Sequence, residues 1–389
     1  MRSFLIWAAA LILLRSLLVL SLGDAFFYGE ELEKATAGKA MLDGLGIPHH
    51  QLAYHYYEGG GFVISHLKAA FFWLLGESIL TNKVVALTSC LAVLWAGWWA
   101  CSKAFGAAAG HCFCALYVFA PATVQKLAMI SLGIHHEACF FIFLALGLTA
   151  DLLERQSLRA SALLGVTLGF GVYFSWVVAL VSATCAIALL LRWRSAVDGT
   201  AVIACVCGAL AGLTPMILMV GEVGSAVLDI HGTGLGDSAA RSTSEVLREF
   251  LRSIYVDGAL GGRLAEVVWP LTAVAALVYG LKVESSGDPG WHRSFLCFAL
   301  FLVVFLAAYL SSAFVQGRVY HFFLMLRLVP LWAVAMGLVA AVAGRSFRDH
   351  GFSGLPAVGF GALLCVGGFG TAQSFGGISP SSLGTNIQT

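Results

Sequence analysis

The chain is 389 residues long, 59% hydrophobic and only 11% charged, with a mean hydropathy of +0.88. A soluble domain carries about 25% charged residues, so the composition excludes one and marks an integral membrane protein. The formal net charge of +1 offers no basic surface for nucleic acid.

The first apolar run, residues 4–22, follows Arg2. It is too long for a usual signal core and Arg15 interrupts it, so it reads as a retained signal anchor. Further runs at 83–101, 105–122, 137–153, 160–174, 176–191, 201–220, 267–283, 295–310, 321–343 and 355–371 reach or approach the length of a membrane helix. About 20 apolar residues at about 1.5 Å each cross about 30 Å of hydrocarbon. Strands of a barrel would alternate in polarity, so an all-α bundle of about eleven transmembrane helices is expected.

The apolar piece 62–75 decides the topology. If it spanned, Arg155, Arg159, Arg192, Arg194, Lys282, Arg293, Arg345 and Arg348 would all face outward, against the positive-inside rule. The sequence is therefore read with 62–75 lying along the outer interface, the N-terminus cytoplasmic and the C-terminus outside; His66 and Lys68 suit that placement. The external face then carries the long connections 23–61 and 221–264, with short turns at 124–136 and 311–320. Ser242, Thr243, Ser244 and Glu245 form a capping-box pattern opening an amphipathic segment through Tyr255, expected to lie in the membrane surface.

All ten cysteines sit in or beside apolar runs, with no disulfide framework and no zinc spacing, and read as small buried hydrophobes. Acid, by contrast, concentrates in the first external connection. Asp24, Glu30, Glu31, Glu33 and Glu58 lie there, Glu58 between Tyr57 and the run Gly59-Gly60-Gly61. Acidic groups beside an apolar domain are costly to desolvate and usually mark chemistry or an ion path. Lys34, Lys126, Arg318, His321 and Arg327 are the candidate phosphate partners of the same face. Carboxylates deprotonate a hydroxyl or hold a divalent metal, and cations neutralise a phosphate leaving group, a combination suited to group transfer from a phosphate-linked lipid. Each acid also has a bland reading, since Glu30, Glu31 and Glu33 make a favourable acidic first helical turn.

The order of the pieces carries a resemblance. Glu30-Glu31, then Lys39-Ala40-Met41-Leu42, Tyr57-Glu58, and Leu74-Leu75-Gly76-Glu77-Ser78 resemble the GT-C membrane glycosyltransferases related to protein O-mannosyltransferases and lipid A aminoarabinose transferases. Gly133-Ile134-His135-His136-Glu137, the glycine-spaced run from Leu163 to Gly171, and Arg318-Val319-Tyr320-His321 add to it. The resemblance implies a polyprenyl-phosphate sugar donor, a lipid, glycan or protein acceptor hydroxyl, and inversion at the anomeric carbon. It also implies a multi-pass bacterial plasma-membrane protein with its site outside. The catalytic domain would occupy 1–343 and a last helix with an external tail 344–389. The family's first-loop acidic pair, general base or metal ligand, maps onto Glu30 and Glu31, its second acid onto Glu58, with Asp24 as runner-up. Arg318, His321, Arg327 and Lys126 would bind the donor phosphate, and Tyr57, His135 and His136 would line the substrate cavity; no cofactor is certain beyond a possible divalent metal. Two departures matter: glutamate replaces the usual aspartate at position 30, and Gly59-Gly60-Gly61 replaces Lys-Pro-Pro. The competing readings are a transporter or lipid flippase, and a catalytically silent relative that binds polyprenyl lipid.

Overall fold

The computed structural model describes residues 2–22, 29–47, 58–193, 198–224, 244, 262–282, 288–311, 321–350, 360–361 and 364. No strand forms among them. The helices are α1 (Arg2–Leu22), α2 (Gly29–Leu42), α3 (Gly60–Leu75), α4 (Ile79–Phe105), α5 (Ala107–Val118), α6 (Ala122–Ala128) and α7 (Ala138–Glu154). After these come α8 (Leu158–Phe174), α9 (Val177–Trp193), α10 (Gly199–Gly212), α11 (Thr214–Val223), α12 (Gly262–Lys282), α13 (Pro289–Ser311) and α14 (His321–His350). Four described segments are long and apolar enough to cross a membrane alone, in α1, α4, α13 and α14, or five if α10 and α11 count as one bent span. The expected amphipathic segment from Ser242 and the last expected helix at 355–371 lie essentially outside the described residues.

Local chemistry sets the boundaries. Ser78 caps α4 by accepting a hydrogen bond from the Thr81 N–H at 3.0 Å, and Ser157 caps α8 in the same way from Ala160 at 3.3 Å. Gly76, at φ +84°, turns the chain between α3 and α4 in a conformation few other residues adopt. The single span expected at 201–220 is instead broken: α10 and α11 meet at a 50° bend, because Pro215 lacks an N–H and its ring crowds the preceding turn. The expected run 105–122 likewise divides, α5 ending at Val118 and Pro121 starting the short α6.

The helices pack around an aromatic and small-residue core. Phe113 meets Phe143 edge-on with centroids 4.9 Å apart, and Phe105 meets Phe298 at 5.0 Å. Between α8 and α10 side chains nearly vanish: a methyl group on Gly208 would fall 2.3 Å from the Ala162 carbonyl oxygen, and one on Gly169 2.2 Å from that of Ala209. Small residues four apart on both helices let the backbones touch, which is what the glycine-spaced run of α8 is for. Seven of the described cysteines are buried, as read from sequence, with Cys205 partly exposed and Cys207 exposed; all nine are free thiols.

The bundle has two unlike ends. At one, Lys103 at the end of α4 pairs with Asp151 near the end of α7 at 3.0 Å, and Arg155 pairs with the same carboxylate at 3.4 Å. Arg192 at the end of α9 donates to the Leu153 carbonyl at 3.1 Å, and Arg345 of α14 lies 4.8 Å over the Trp291 ring of α13. Four basic residues of different helices thus share a rim. Helix α3 both begins and ends at the opposite end. Its Gly60 abuts Gly133 in the turn before α7, and its last residue leads through Gly76 into the start of α4. With both its ends there, it does not cross the bundle.

Candidate active site

The site is built at the end away from the basic rim, where α2 and α3 fold over the starts of α4 and α7. Helix α2 is polar on its outer side and buries Glu31, Lys34, Ala37 and Gly38. It lies close on α3 because Gly38 has no side chain: a methyl there would stand 2.8 Å from the Ser65 carbonyl oxygen.

Glu31 is completely buried, and its carboxylate is fully engaged. One oxygen accepts from the Lys83 ammonium at 2.6 Å; the other accepts from both the N–H and the hydroxyl of Ser131, each at 3.1 Å. Lys83 also donates to the Met129 carbonyl at 3.1 Å. Lys68, equally buried, donates to the backbone carbonyls of Glu31 at 2.8 Å and Ser131 at 3.1 Å. Four side chains from α2, α3, α4 and the turn before α7 therefore close one polar knot. An isolated buried charge would cost several kcal/mol, and the paired charges and shared donors offset that cost here. Sequence reading offered Glu31 as base or metal ligand; the structure makes it the anchor of the first connection. Glu30 lies half-buried beside it in the first turn of α2.

Glu58 reaches the same region from the other side of the first connection. It is buried and accepts from the Ser175 hydroxyl at 3.3 Å. The glycines after it permit a close approach to protein. A methyl on Gly60 would fall 1.5 Å from the Gly133 carbonyl oxygen, and one on Gly59 2.1 Å from the Tyr173 ring. Gly59 also donates its N–H to the Tyr173 carbonyl at 2.7 Å. Gly133 takes φ +82°, a left-handed conformation that suits glycine and lets the two backbones interlock.

That interlock sets Glu58 against the turn that ends in Glu137. Glu137 is buried, and among the described residues neither of its carboxyl oxygens has a hydrogen-bond partner. Burial pushes its carboxyl up, to about 7; the backbone N–H groups of Glu137 and Gly133, near it but outside hydrogen-bond geometry, pull it down, Lys68 adds to that pull, and Glu31 opposes it. Buried carboxyls are normally satisfied, so an unpartnered one at a convergence of acids is suited to a reactant. The two histidines before it are buried as well: His136 Nε2 lies 2.6 Å from the Tyr117 hydroxyl, and the His135 carbonyl faces the Cys139 thiol at 3.7 Å. Deeper in the bundle the Arg15 guanidinium donates to the Gln125 side chain, which in turn donates to the Ala120 carbonyl at 2.6 Å.

The structure thus brings Glu31, Glu58, His135 and His136 to one end of the bundle, with Glu30 beside Glu31. Lys126 lies half-buried on α6 next to Gln125. Asp24, Tyr57 and Arg318 lie outside the described residues; His321 opens α14 and Arg327 follows within two turns, but their side chains are also outside them. Among the described residues no three His, Cys, Asp or Glu side chains gather as a metal site, and the committed oxygens of Glu31 do not fit that role. Sequence reasoning missed Lys68, Lys83, Ser131, Ser175 and Glu137 as site members. The available signal was a lysine inside an apolar run, which by default marks function.

No protein-family model matches the chain, and no curated protein matches it in sequence. An all-helical membrane bundle whose first connection folds helices over one end is the GT-C architecture of membrane glycosyltransferases, and the chain has that fold. It is similar to ArnT from Cupriavidus metallidurans bound to undecaprenyl phosphate, with a TM-score of 0.62 at 13% identity, covering 99% of this chain and 77% of ArnT. ArnT in the apo state gives a TM-score of 0.58 at the same 13% identity, covering 97% of this chain and 76% of ArnT. The archaeal oligosaccharyltransferase AglB from Archaeoglobus fulgidus, in complex with an inhibitory peptide and a dolichol-phosphate, gives 0.50 at 11%, covering 99% of this chain but 55% of AglB.

Proposed function

We propose that the protein transfers a sugar from a polyprenyl-phosphate donor to an acceptor hydroxyl at the outer membrane face, with inversion. The observation that carries this reading is the convergence of Glu31, Glu58 and the unpartnered Glu137 at the end of a GT-C bundle opposite its basic rim. Positive residues favour the cytoplasmic side, so the acid end belongs outside. A transporter would place its ionisable groups near the midplane, not at one end.

In this mechanism the acceptor oxygen attacks the anomeric carbon as its proton passes to Glu137, with Glu58 as the second acid of the site and Glu31, beside Glu30, as the anchor of the first connection. The bond from that carbon to the phosphate oxygen breaks, and its electron pair leaves with the phosphate. Arg318, with His321 or Arg327 at the start of α14, meets the growing negative charge through charge-assisted hydrogen bonds; Lys126 is a further cation for it. The function is tested with purified protein in detergent. Undecaprenyl phosphate is expected to raise the melting temperature, and a panel of labelled polyprenyl-phosphate sugars to reveal a donor. Glu137→Gln should then slow transfer by about 100-fold or more while melting as wild type. Wild-type protein that is neither stabilised by the lipid phosphate nor active with any donor overturns the reading.

A further inference from the structure

Lys68 has no evident reason to be a lysine. It lies on an apolar helix, is fully buried, and among the described residues no carboxylate stands within ion-pair distance of its ammonium. The nearby acid, Glu31, is already matched by Lys83 at 2.6 Å. An amide or hydroxyl could tie two carbonyl oxygens without the cost of burying a charge. The charge therefore needs a separate account, and the groups around it supply one.

Attraction comes from Glu31 and Glu137, and repulsion from Lys83 and Lys34; Lys34 has a partner of its own in Glu33 at 3.6 Å. With Glu31 and Lys83 neutralising each other, Lys34 beside Glu33 and Glu58 accepting from Ser175, the buried charges left facing each other are Lys68 and Glu137. Glu137 is faced by Lys68 and, with opposite effect, by Glu31; the thiols of Cys90 and Cys139, its neighbours His135 and His136 and the more distant Arg15 are the other ionisable groups around that turn. We propose that Lys68 is the positioning residue and counter-charge of Glu137, tying α2 to the turn that carries Glu137 and holding that carboxyl in its proton-accepting form.

The inference rests on the functional reading only where it makes Glu137 the proton acceptor; the electrostatic part stands alone and is tested alone. Burial has pushed the Lys68 ammonium down to about 7, against the pull of Glu31 and Glu137, so the pair titrates where a working base is useful. Removing the positive charge disfavours the carboxylate, so Glu137 must hold its proton to a higher pH. Restoring a permanent cation must lower that pH again.

The experiment is an infrared pH titration of the purified protein in detergent, following the protonated-carboxyl band that disappears in Glu137→Gln. In Lys68→Met the midpoint of that band should rise by about one pH unit or more, and in Lys68→Arg it should return to the wild-type value or below. Lys68→Gln, which keeps two donors and drops the charge, should behave like Lys68→Met and replaces it if that variant does not fold. A midpoint shared by wild type and the neutral variants overturns the proposal, as does a band that survives Glu137→Gln. Once a donor is in hand, the acid limb of the transfer rate should move with the midpoint, and Lys68→Met should recover rate at higher pH. A purely structural lysine would depress the rate equally at every pH. An infrared shift without activity on any lipid-linked donor would leave the charge assignment intact and sink the transferase reading instead.

Discussion

The two ends of the bundle use the same residue types in opposite ways. At the rim, Lys103 and Arg155 share Asp151 in contact with water, and each pair is one of several arrangements such side chains sample. At the site end, Lys83 and Glu31 are almost wholly removed from solvent and every oxygen of the carboxylate is assigned. Exposed pairs contribute about 0 to 1 kcal/mol because water screens them and flexible chains lose entropy on pairing. A buried pair adds little net stability over an apolar core, yet losing one partner strands the other charge. The rim charges therefore contribute little to the fold, whereas the buried ones fix the geometry of a few atoms.

The largest expected effect follows from that asymmetry. Glu31→Gln leaves the Lys83 ammonium buried without a counter-charge, and should cost about 3 to 5 kcal/mol of unfolding free energy. The double variant Glu31→Gln with Lys83→Met should be more stable than either single charge removal, since no charge is stranded. Unfolding of the four proteins in detergent gives the coupling energy directly, and additive effects would show that the pair is not the element holding the first connection.

Second in size is the glycine interlock. Gly60→Ala inserts a methyl 1.5 Å from the Gly133 carbonyl oxygen, where both neighbours are backbone and neither can rotate aside. Overpacking of this kind costs about 1 to 3 kcal/mol and moves the segments apart. The expected outcome is a protein that still folds, with lowered melting temperature and transfer reduced more than stability explains. The same substitution at Gly44, which has nothing within 4 Å but holds φ +76°, should lose stability through backbone strain and leave transfer unaffected.

Legibility in the sequence divides along the same line. The helices were readable because apolar length and capping residues are local properties: α1 begins within two residues of its expected start and ends where expected, and α7 is displaced by one residue at each end. Breaks were harder, since Pro215 and Pro121 sit inside runs that remain apolar on both sides. For the acids, local sequence identified the segment but not the roles. Glu31 looked reactive because it is acidic in an apolar protein, and became an anchor only through Ser131, a hundred positions away along the chain. Glu137 closed one piece of the resemblance and opened an apolar run, but its lack of partners among the described residues is a property of the folded surroundings alone. The glycines after Glu58 stood out in the sequence as a departure from Lys-Pro-Pro; what they admit is the Gly133 backbone.

The smallest expected effect is at the rim, and its smallness is the point of measuring it. Lys103→Ala removes the ammonium 3.0 Å from Asp151, but Arg155 remains 3.4 Å from the same carboxylate and water reaches both. The change in unfolding free energy should stay within about 1 kcal/mol and shrink further as salt is added, because the Debye length falls to about 3 Å at 1 M. The Glu31 and Lys83 pair should hardly respond to the same salt, because the surrounding protein keeps ions away from it. Measuring both variants across a salt series separates the two kinds of charge within one molecule. A Lys103→Ala loss as large and as salt-independent as that of Glu31→Gln would mean that the rim, too, is part of the packed interior, and the contrast between the ends would fail.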